Sequence, residues 1–165
     1  MLGSNDSRFN IRLEVRAEIY PTEDVRKVLQ AINTIIPFDE ERDDVEIVGD
    51  DVKTVIVRKE GHEALIKLRS SFRSNRILDT ARSLLLSRSG RLRPLKFHKQ
   101  AAYSGKVRLC DEDDISPLGV IILRIEYGGD PLILANWLSP QTEKGKIVKE
   151  ASTHELLYGS HEGPS

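Results

Sequence analysis

Residues 9–20 read FNIRLEVRAEIY, and this stretch decides the fold. Apolar side chains occupy every second position from Phe9 to Ile19, and polar or amphipathic side chains occupy the positions between them. Because successive side chains of a strand point to opposite faces, the pattern predicts one long strand with a buried face and a wet face. A wet face is typical of an antiparallel or mixed sheet that is covered on one side only.

The elements that follow this strand favour an α+β fold. Thr22 is expected to cap a helix that Pro37 ends, and an acidic loop at 39–44 leads to a hairpin with strands near 45–48 and 52–59. Two helices separated at Ser74 and Asn75 come next, then strands near 92–98, 106–110 and 120–127, and a helix from Asp130 to about residue 138. This order predicts a mixed, largely antiparallel sheet with helices packed on one face.

Composition changes near both ends of the chain and sets the expected boundaries. We predict a flexible leader at 1–8, a single α+β domain at 9–140, and a polar, mobile tail at 141–165 that carries at most a weak helix near 147–157. The only cysteine is Cys110, so no internal disulfide can form. Apolar runs stay well short of the roughly 20 residues that cross a bilayer, and these features together predict a cytoplasmic protein with no membrane partner.

Charge is segregated along a chain whose formal net charge is only −1. Residues 39–63 carry ten acids and four bases, whereas residues 64–110 carry twelve bases and a single acid, Asp79. Residues 111–165 are acidic again, with ten acids and four bases. This central basic third is the strongest functional signal, because charge asymmetry inside a neutral chain indicates a charged partner.

The motifs of common catalytic sites are absent. Gly105 and Lys106 resemble the end of a phosphate loop, but Gln100 stands where that loop needs glycine. His62 and Glu63 begin like a zinc-protease helix, but Ile66 occupies the position of the second histidine. The acidic runs 39–44 and 111–114 are typical of solvated charge rather than of a metal site. We therefore predict no catalytic residue, no metal and no cofactor.

Eight of the twelve basic residues are arginine, whose planar fork suits phosphate oxygens. A helix, the loop that leaves it and one strand face bearing Lys106 and Arg108 are expected to form a positive surface that attracts a polyanion. The alternative is that these bases pair with the flanking acidic segments and form a charge-laced surface. The predicted RNA contacts are Arg73, Arg76, Arg82, Arg88, Arg91, Arg93, Lys96, Lys99, Tyr103, Lys106 and Arg108. Tyr103 is expected either to stack on a base or to pack in the core.

Several segments in the same order resemble an uncharacterised archaeal protein family. They are residues 15–29 (VRAEIYPTEDVRKVL), 76–82 (RILDTAR), 99–103 (KQAAY) with 105–107 (GKV), 116–119 (SPLG) and 137–140 (WLSP), so the resemblance covers roughly residues 10–140. That family is similar to a predicted RNA-binding subunit associated with the archaeal exosome, and its fold resembles that of ribosomal protein L-five. The resemblance implies an RNA-related role without supplying catalytic residues.

Three hypotheses remain open from the sequence. The first is a non-enzymatic RNA-binding or RNA-processing accessory protein, acting alone or within a protein complex of RNA processing. The second is a protein-interaction or homo-oligomeric subunit, such as a homodimer, whose basic patch docks on an acidic partner. The third, ranked last, is an enzyme that uses the acidic loops and a metal.

Overall fold

The computed structural model of the chain describes residues 8–111 and 119–159. Residues 1–7 of the expected leader, the part of the acidic run that follows Asp111, and residues 160–165 lie outside this description.

A five-stranded antiparallel sheet forms the centre of the domain. Its strands are β1 (Ile11–Ile19), β2 (Asp44–Gly49), β3 (Lys53–Glu60), β4 (Leu95–His98) and β5 (Val120–Tyr127). Their spatial order is β2-β3-β1-β5-β4, and every neighbouring pair is antiparallel. The long alternating strand lies in the middle, with Val15 opposite Val57 of β3 and Leu123 of β5. The α+β class and the strands of the hairpin are confirmed.

The helices and the buried positions share one face of the sheet. The helices are α1 (Val25–Ile35), α2 (Ile66–Ser74), α3 (Leu78–Leu85), α4 (Lys99–Tyr103), α5 (Pro131–Leu138) and α6 (Thr153–Tyr158). Odd-numbered residues of β1 are buried, and they join a core that includes Ile32, Phe72 and Trp137. Even-numbered residues of β1 stay on the opposite, wet face, as the alternation predicts.

Two helix starts show how local chemistry sets element boundaries. Asp24, rather than Thr22, caps α1, and its carboxylate accepts a 2.9 Å hydrogen bond from the Arg26 N–H. The expectation for Thr22 is therefore wrong by two residues. Asp130 caps α5 and is followed by Pro131 at the first helical position, as the sequence indicates.

The segment from 99 to 110 differs from the expected structure. Residues 99–103 form the short helix α4, which the sequence analysis did not predict. Residues 106–110 form a single bridge, between Leu109 and Phe97, instead of a regular strand. They still lie along β4, because the His98 N–H donates to the Arg108 carbonyl at 2.9 Å and the Cys110 N–H donates to the Lys96 carbonyl at 2.8 Å.

The described part of the C-terminal segment packs on the domain. A small hairpin of β6 (Thr142–Glu143) and β7 (Lys146–Ile147) precedes α6, which begins with a capping box between Ser152 and Glu155. Leu156 is fully buried, and the Phe9 N–H donates to the Leu157 carbonyl at 2.7 Å. This differs from the mobile tail that the composition predicts, because two buried apolar side chains, local capping and hydrogen bonds to the rest of the domain, such as those from Arg69 and Arg73 to Glu150, hold a mostly polar segment.

None of the helices in the described ranges is long and apolar enough to span a bilayer.

Candidate nucleic-acid interface

The structure divides the twelve bases of residues 64–110 into cations that contact the protein and cations that face solvent. This division decides which of the predicted contacts are available to a polyanion. It depends on the partner of each side chain, which the sequence does not show.

Lys99 is buried, although it was predicted to contact RNA on the basic surface. Its side chain is 0% exposed, and Nζ donates to the Glu18 carbonyl at 2.6 Å and to Glu23 Oε1 at 3.0 Å. The Nζ atom also lies 5.2 Å from the centre of the Tyr20 ring. Lys99 therefore anchors α4 to the end of β1 and does not contact a surface ligand, which corrects its predicted role.

Tyr103 belongs to the same buried cluster. Its hydroxyl donates to Glu23 Oε2, and burial together with this hydrogen bond raises the pKa of Tyr103. Burial alone would raise the pKa of Glu23, but hydrogen bonds from Tyr103, the Tyr20 N–H and Lys99 lower it. The exposed part of the Tyr103 ring faces a pocket shared with Glu23 and Asp24, which suits a base-stacking role poorly.

Four arginines of residues 64–110 donate hydrogen bonds to other groups of the protein, and three of them are predicted RNA contacts. Arg69 and Arg73 both donate to Glu150 of the C-terminal segment. Arg82 donates to Asn136 Oδ1 at 2.7 Å, and burial lowers the pKa of its guanidinium. Arg93 donates to the Ser83 carbonyl. The alternative expectation, that bases pair with the flanking acidic segments, is thus met for Arg69 and Arg73, since Glu150 belongs to the acidic last third of the chain.

Arg76, Arg88, Arg91 and Lys96 are exposed but lie at separate places. Arg76 occupies the break between α2 and α3, with a φ of 56°. Arg88 and Arg91 belong to a turn that the Ser87 N–H closes through a 2.8 Å bond to the Arg91 carbonyl. Lys96 stands on the wet face of the sheet, opposite Ile122. These four side chains do not converge on one cavity of the described structure.

Lys106 and Arg108 do converge, together with Lys67, on a groove of about 870 Å³. One wall is α2, and the other is formed by the end of β4, α4 and the loop after it. We call this feature the α2–α4 groove. Its lining consists of Lys67, Ser70, Ser71, Ser74, Asn75, His98, Gln100, Ala101, Ser104, Gly105, Lys106, Val107 and Arg108. Among the described residues, that lining contains no acid, although the protein as a whole has more acids than bases.

Helical periodicity places the first wall. Leu68 and Phe72 of α2 are fully buried, so the side chains spaced three and four residues apart on another stripe face outward. Lys67, Ser70 and Ser74 lie on that outward stripe and reach the groove. Among the described residues, the Lys67 ammonium makes a single long contact, of 3.5 Å, to the Asn33 carbonyl, and its side chain is exposed.

The second wall depends on the tight turn that ends α4. Gly105 has a φ of 79°, a left-handed conformation that favours glycine, and the Lys106 N–H donates back to the Ala101 carbonyl at 2.9 Å. This turn leaves Ser104 and Lys106 exposed at the rim of the groove. Val107 and Leu109 pack against the core while Arg108 stays exposed, so the alternation predicted for this segment survives without a regular strand.

The wet face of the sheet is a poor phosphate surface by comparison. Its bases are Arg12, Arg16, Arg58, Arg124 and Lys96, and its acids are Glu14, Glu18, Asp44, Glu46, Glu60 and Glu126. Arg58 lies within 4.0 Å of three of those acids. Phenylalanine, tyrosine and tryptophan are missing from the described strand positions of this face. Tyr20, which follows β1, donates its hydroxyl to Glu18 and packs its ring against Lys99, so it is a poor platform for bases.

The polar residues of the groove are not among the RNA contacts predicted from the sequence. They are Lys67, Ser70, Ser74, Asn75 and Gln100. The available signal was the helical spacing of Lys67, Ser70 and Ser74 opposite Leu68 and Phe72. Across the described residues, no three metal-ligating side chains come together in one group.

Comparisons with known proteins agree on one family. A family model described as RNA binding matches residues 12–127. The UPF0201 protein of Sulfolobus acidocaldarius is 37% identical over 135 residues, covering 81% of this chain and 90% of that protein. The UPF0201 protein of Sulfurisphaera tokodaii is 36% identical over 137 residues, with the same coverage of both chains.

Solved structures show the same relationship. The crystal structure of a UPF0201 protein from Methanococcus jannaschii has a TM-score of 0.66 and 27% identity, and the match covers 84% of this chain and 99% of that one. Mth689, a DUF54 protein from Methanothermobacter thermautotrophicus, has a TM-score of 0.52 at 19% identity over 77% of this chain and 93% of that one, which is a likeness of fold alone.

Proposed function

The chain belongs to the archaeal UPF0201 family, whose model carries the description RNA binding, and from that premise we propose that it binds folded RNA in the α2–α4 groove. The observation that supports this proposal most strongly is the convergence of Lys67, Lys106 and Arg108 on a groove whose described lining contains no acid. A polyanion would meet attraction there without the repulsion that the acids of the wet sheet face would impose.

The chemistry of the groove favours the sugar and phosphate backbone over the bases. Lysine and arginine only donate hydrogen bonds, which suits phosphate oxygens. Serine hydroxyls and the amides of Asn75 and Gln100 both donate and accept, which suits the 2′-hydroxyl of ribose. Tyrosine, phenylalanine and tryptophan do not line the groove, so stacking on splayed bases has no platform there. We therefore expect an RNA hairpin or duplex to bind better than a single strand.

The proposed role is that of an accessory protein and not of an enzyme, acting in the cytoplasm. We also propose that the protein acts within a complex of RNA processing, as the likeness to the exosome-associated family implies. A further part of the proposal is that its fold resembles that of ribosomal protein L-five.

The test is fluorescence anisotropy of a labelled RNA hairpin with the wild-type chain and two variants. The groove variant is Lys67→Glu/Lys106→Glu/Arg108→Glu. The control variant is Arg76→Glu/Arg88→Glu/Arg91→Glu, which makes the same change of charge at exposed residues that do not line the groove. We expect the groove variant to lose at least tenfold in affinity and the control variant about threefold or less, since a general field falls off within a Debye length.

Two comparisons of ligand complete the experiment. The RNA hairpin should bind more tightly than a DNA hairpin of the same sequence, because the groove's hydroxyl and amide groups can bond the 2′-hydroxyl. It should also bind more tightly than an unstructured RNA of the same length. Equal losses in both variants would show that charge acts without a site, and absence of binding at low salt would refute the proposal.

A further inference from the structure

The two edges of the five-stranded sheet differ in how they end. The outer side of β4 is covered, because residues 108–110 bond to it through the His98 and Cys110 N–H groups. The outer side of β2 has no neighbouring strand within residues 8–111 and 119–159. An open edge of this kind presents a row of backbone donors and acceptors to another chain.

The open edge carries exposed aliphatic side chains as well as backbone groups. Ile47 and Val48 are each 43% exposed, and Val52 at the hairpin turn is 40% exposed. Three of the eight large exposed apolar residues of the described chain therefore lie within six positions of one another. An apolar patch beside free backbone groups is the usual combination at a site that binds an extended peptide as an added strand.

Charge selects the kind of peptide. Residues 39–51 contain eight acids and one base, a net charge of −7. Asp50 and Asp51 at the hairpin turn are exposed and form no ion pair with other described residues. Arg26, Arg58 and Lys59 pair with some of these acids, but the segment keeps an excess of acids. A second copy of this chain placed edge to edge would oppose two such acidic segments, so the surroundings of β2 repel self-pairing and attract a basic segment.

The pleat of β2 sets the pattern of the partner. Asp44, Glu46 and Val48 point to the wet face, and Val45 and Ile47 point to the core face, since they stand opposite Val57 and Val55. Directly paired residues of an added strand share these faces. We propose that the β2 edge binds an extended peptide of another protein in which lysine or arginine alternates with valine or isoleucine, the bases facing Asp44 and Glu46 and the aliphatic residues facing Ile47.

This site is independent of the proposed RNA groove. The sheet order places β2 and β4 at opposite ends, and the groove lies beside β4. Binding of a basic peptide would therefore leave the groove open, and failure of either proposal says nothing about the other.

The experiment uses a labelled, end-capped peptide that alternates lysine and valine over the six-residue length of β2. Two further versions are N-methylated on alternate residues, one on the odd positions and one on the even positions. Because the N–H groups of a strand alternate in direction, only one set can face β2. We expect fluorescence anisotropy to show binding of the parent peptide, at least tenfold weaker binding of one methylated version, and near-parental binding of the other.

Two variants of the full chain test the role of charge. Asp50→Lys/Asp51→Lys should weaken binding of the parent peptide about tenfold at low salt. The control variant Glu126→Lys/Glu143→Lys makes the same change of charge at exposed positions outside β2, and it should weaken binding about twofold or less. Parental binding of both methylated peptides would show charge attraction without strand pairing and would overturn the proposal. Undetectable binding of the parent peptide to the wild-type chain would overturn it as well.

Discussion

The two edge strands of the sheet lie in regions of opposite charge, and one edge is covered while the other is open. Beside β4, bonded residues close the edge and the α2–α4 groove gathers Lys67, Lys106 and Arg108. Beside β2, the edge is open and acids dominate. Segregation of charge along the sequence becomes segregation in space because the acidic hairpin forms one end of the sheet while the basic third builds the other. A neutral chain can therefore present two surfaces that bind opposite partners.

The largest effect should come from Lys99, which fixes α4 and so one wall of the groove. In Lys99→Met, Glu23 would stay buried without its cation, and we expect a loss of about 3–5 kcal/mol in the free energy of unfolding. Urea denaturation measures this loss. The matched control is Lys96→Met, which removes an exposed lysine three residues away and should leave the midpoint unchanged. Similar midpoints for both variants would contradict the anchoring role.

A smaller effect is expected from Glu150, which holds two arginines of α2 on the side away from the groove. Glu150→Ala would release Arg69 and Arg73, and we expect a loss of about 1 kcal/mol, since the partially exposed pair is screened by solvent. RNA affinity should stay within about twofold of wild type. A large gain in affinity would show that these arginines reach the RNA and that the groove is not the separate site inferred above.

The pH dependence of stability should report the buried cluster at the groove's wall. The folded-state pKa of Glu23 is lowered, so the ionised carboxylate stabilises the fold above its ordinary pKa of about 4.3, and this contribution is lost as pH falls through the lowered folded value. The difference in unfolding free energy between wild type and Glu23→Gln should be largest near neutral pH and shrink on acidification. A difference that stays constant from pH 7 to pH 3 would exclude this origin.

The smallest effect on stability is expected at the acidic end. Asp44 and Glu46 pair with Arg58 at 3.5 and 3.3 Å, and all three side chains are well exposed. In Asp44→Asn/Glu46→Gln, the urea midpoint should not change measurably, whereas affinity for the alternating lysine and valine peptide should fall severalfold. A clear drop in the midpoint would indicate that these acids serve the fold instead of a partner.

Periodicity explains which parts of the fold could be predicted. Residues 11–19 alternate strictly, and β5 was predicted at its observed bounds because apolar residues recur from Val120 to Tyr127. Helix α4 was missed because five residues give too short a period to recognise. The C-terminal segment was not predicted as ordered because a cap, two buried side chains and hydrogen bonds from distant residues hold it, and none of these changes the average composition.

Whether each basic side chain is exposed or bonded within the protein could be predicted only in part. Leu95 and Phe97 of β4 are buried, and Lys99 continues their spacing although it begins α4, so the pattern already favoured a core-facing Lys99. The partners Glu23 for Lys99 and Glu150 for Arg73 are 76 and 77 residues away in sequence. Such distant contacts depend on the tertiary fold, which is why a count of basic residues overstated the surface available to RNA.

The most direct test of the RNA groove is the salt dependence of RNA-hairpin binding by the wild-type chain and the Lys67→Glu/Lys106→Glu/Arg108→Glu variant. Each phosphate contact contributes a slope of about 0.7–0.9 in log affinity against log salt. If the three groove cations bind phosphates, the wild-type slope should exceed that of the variant by about 2–3. Parallel lines for the two proteins would show that these cations do not contact RNA and would contradict the assignment of the groove.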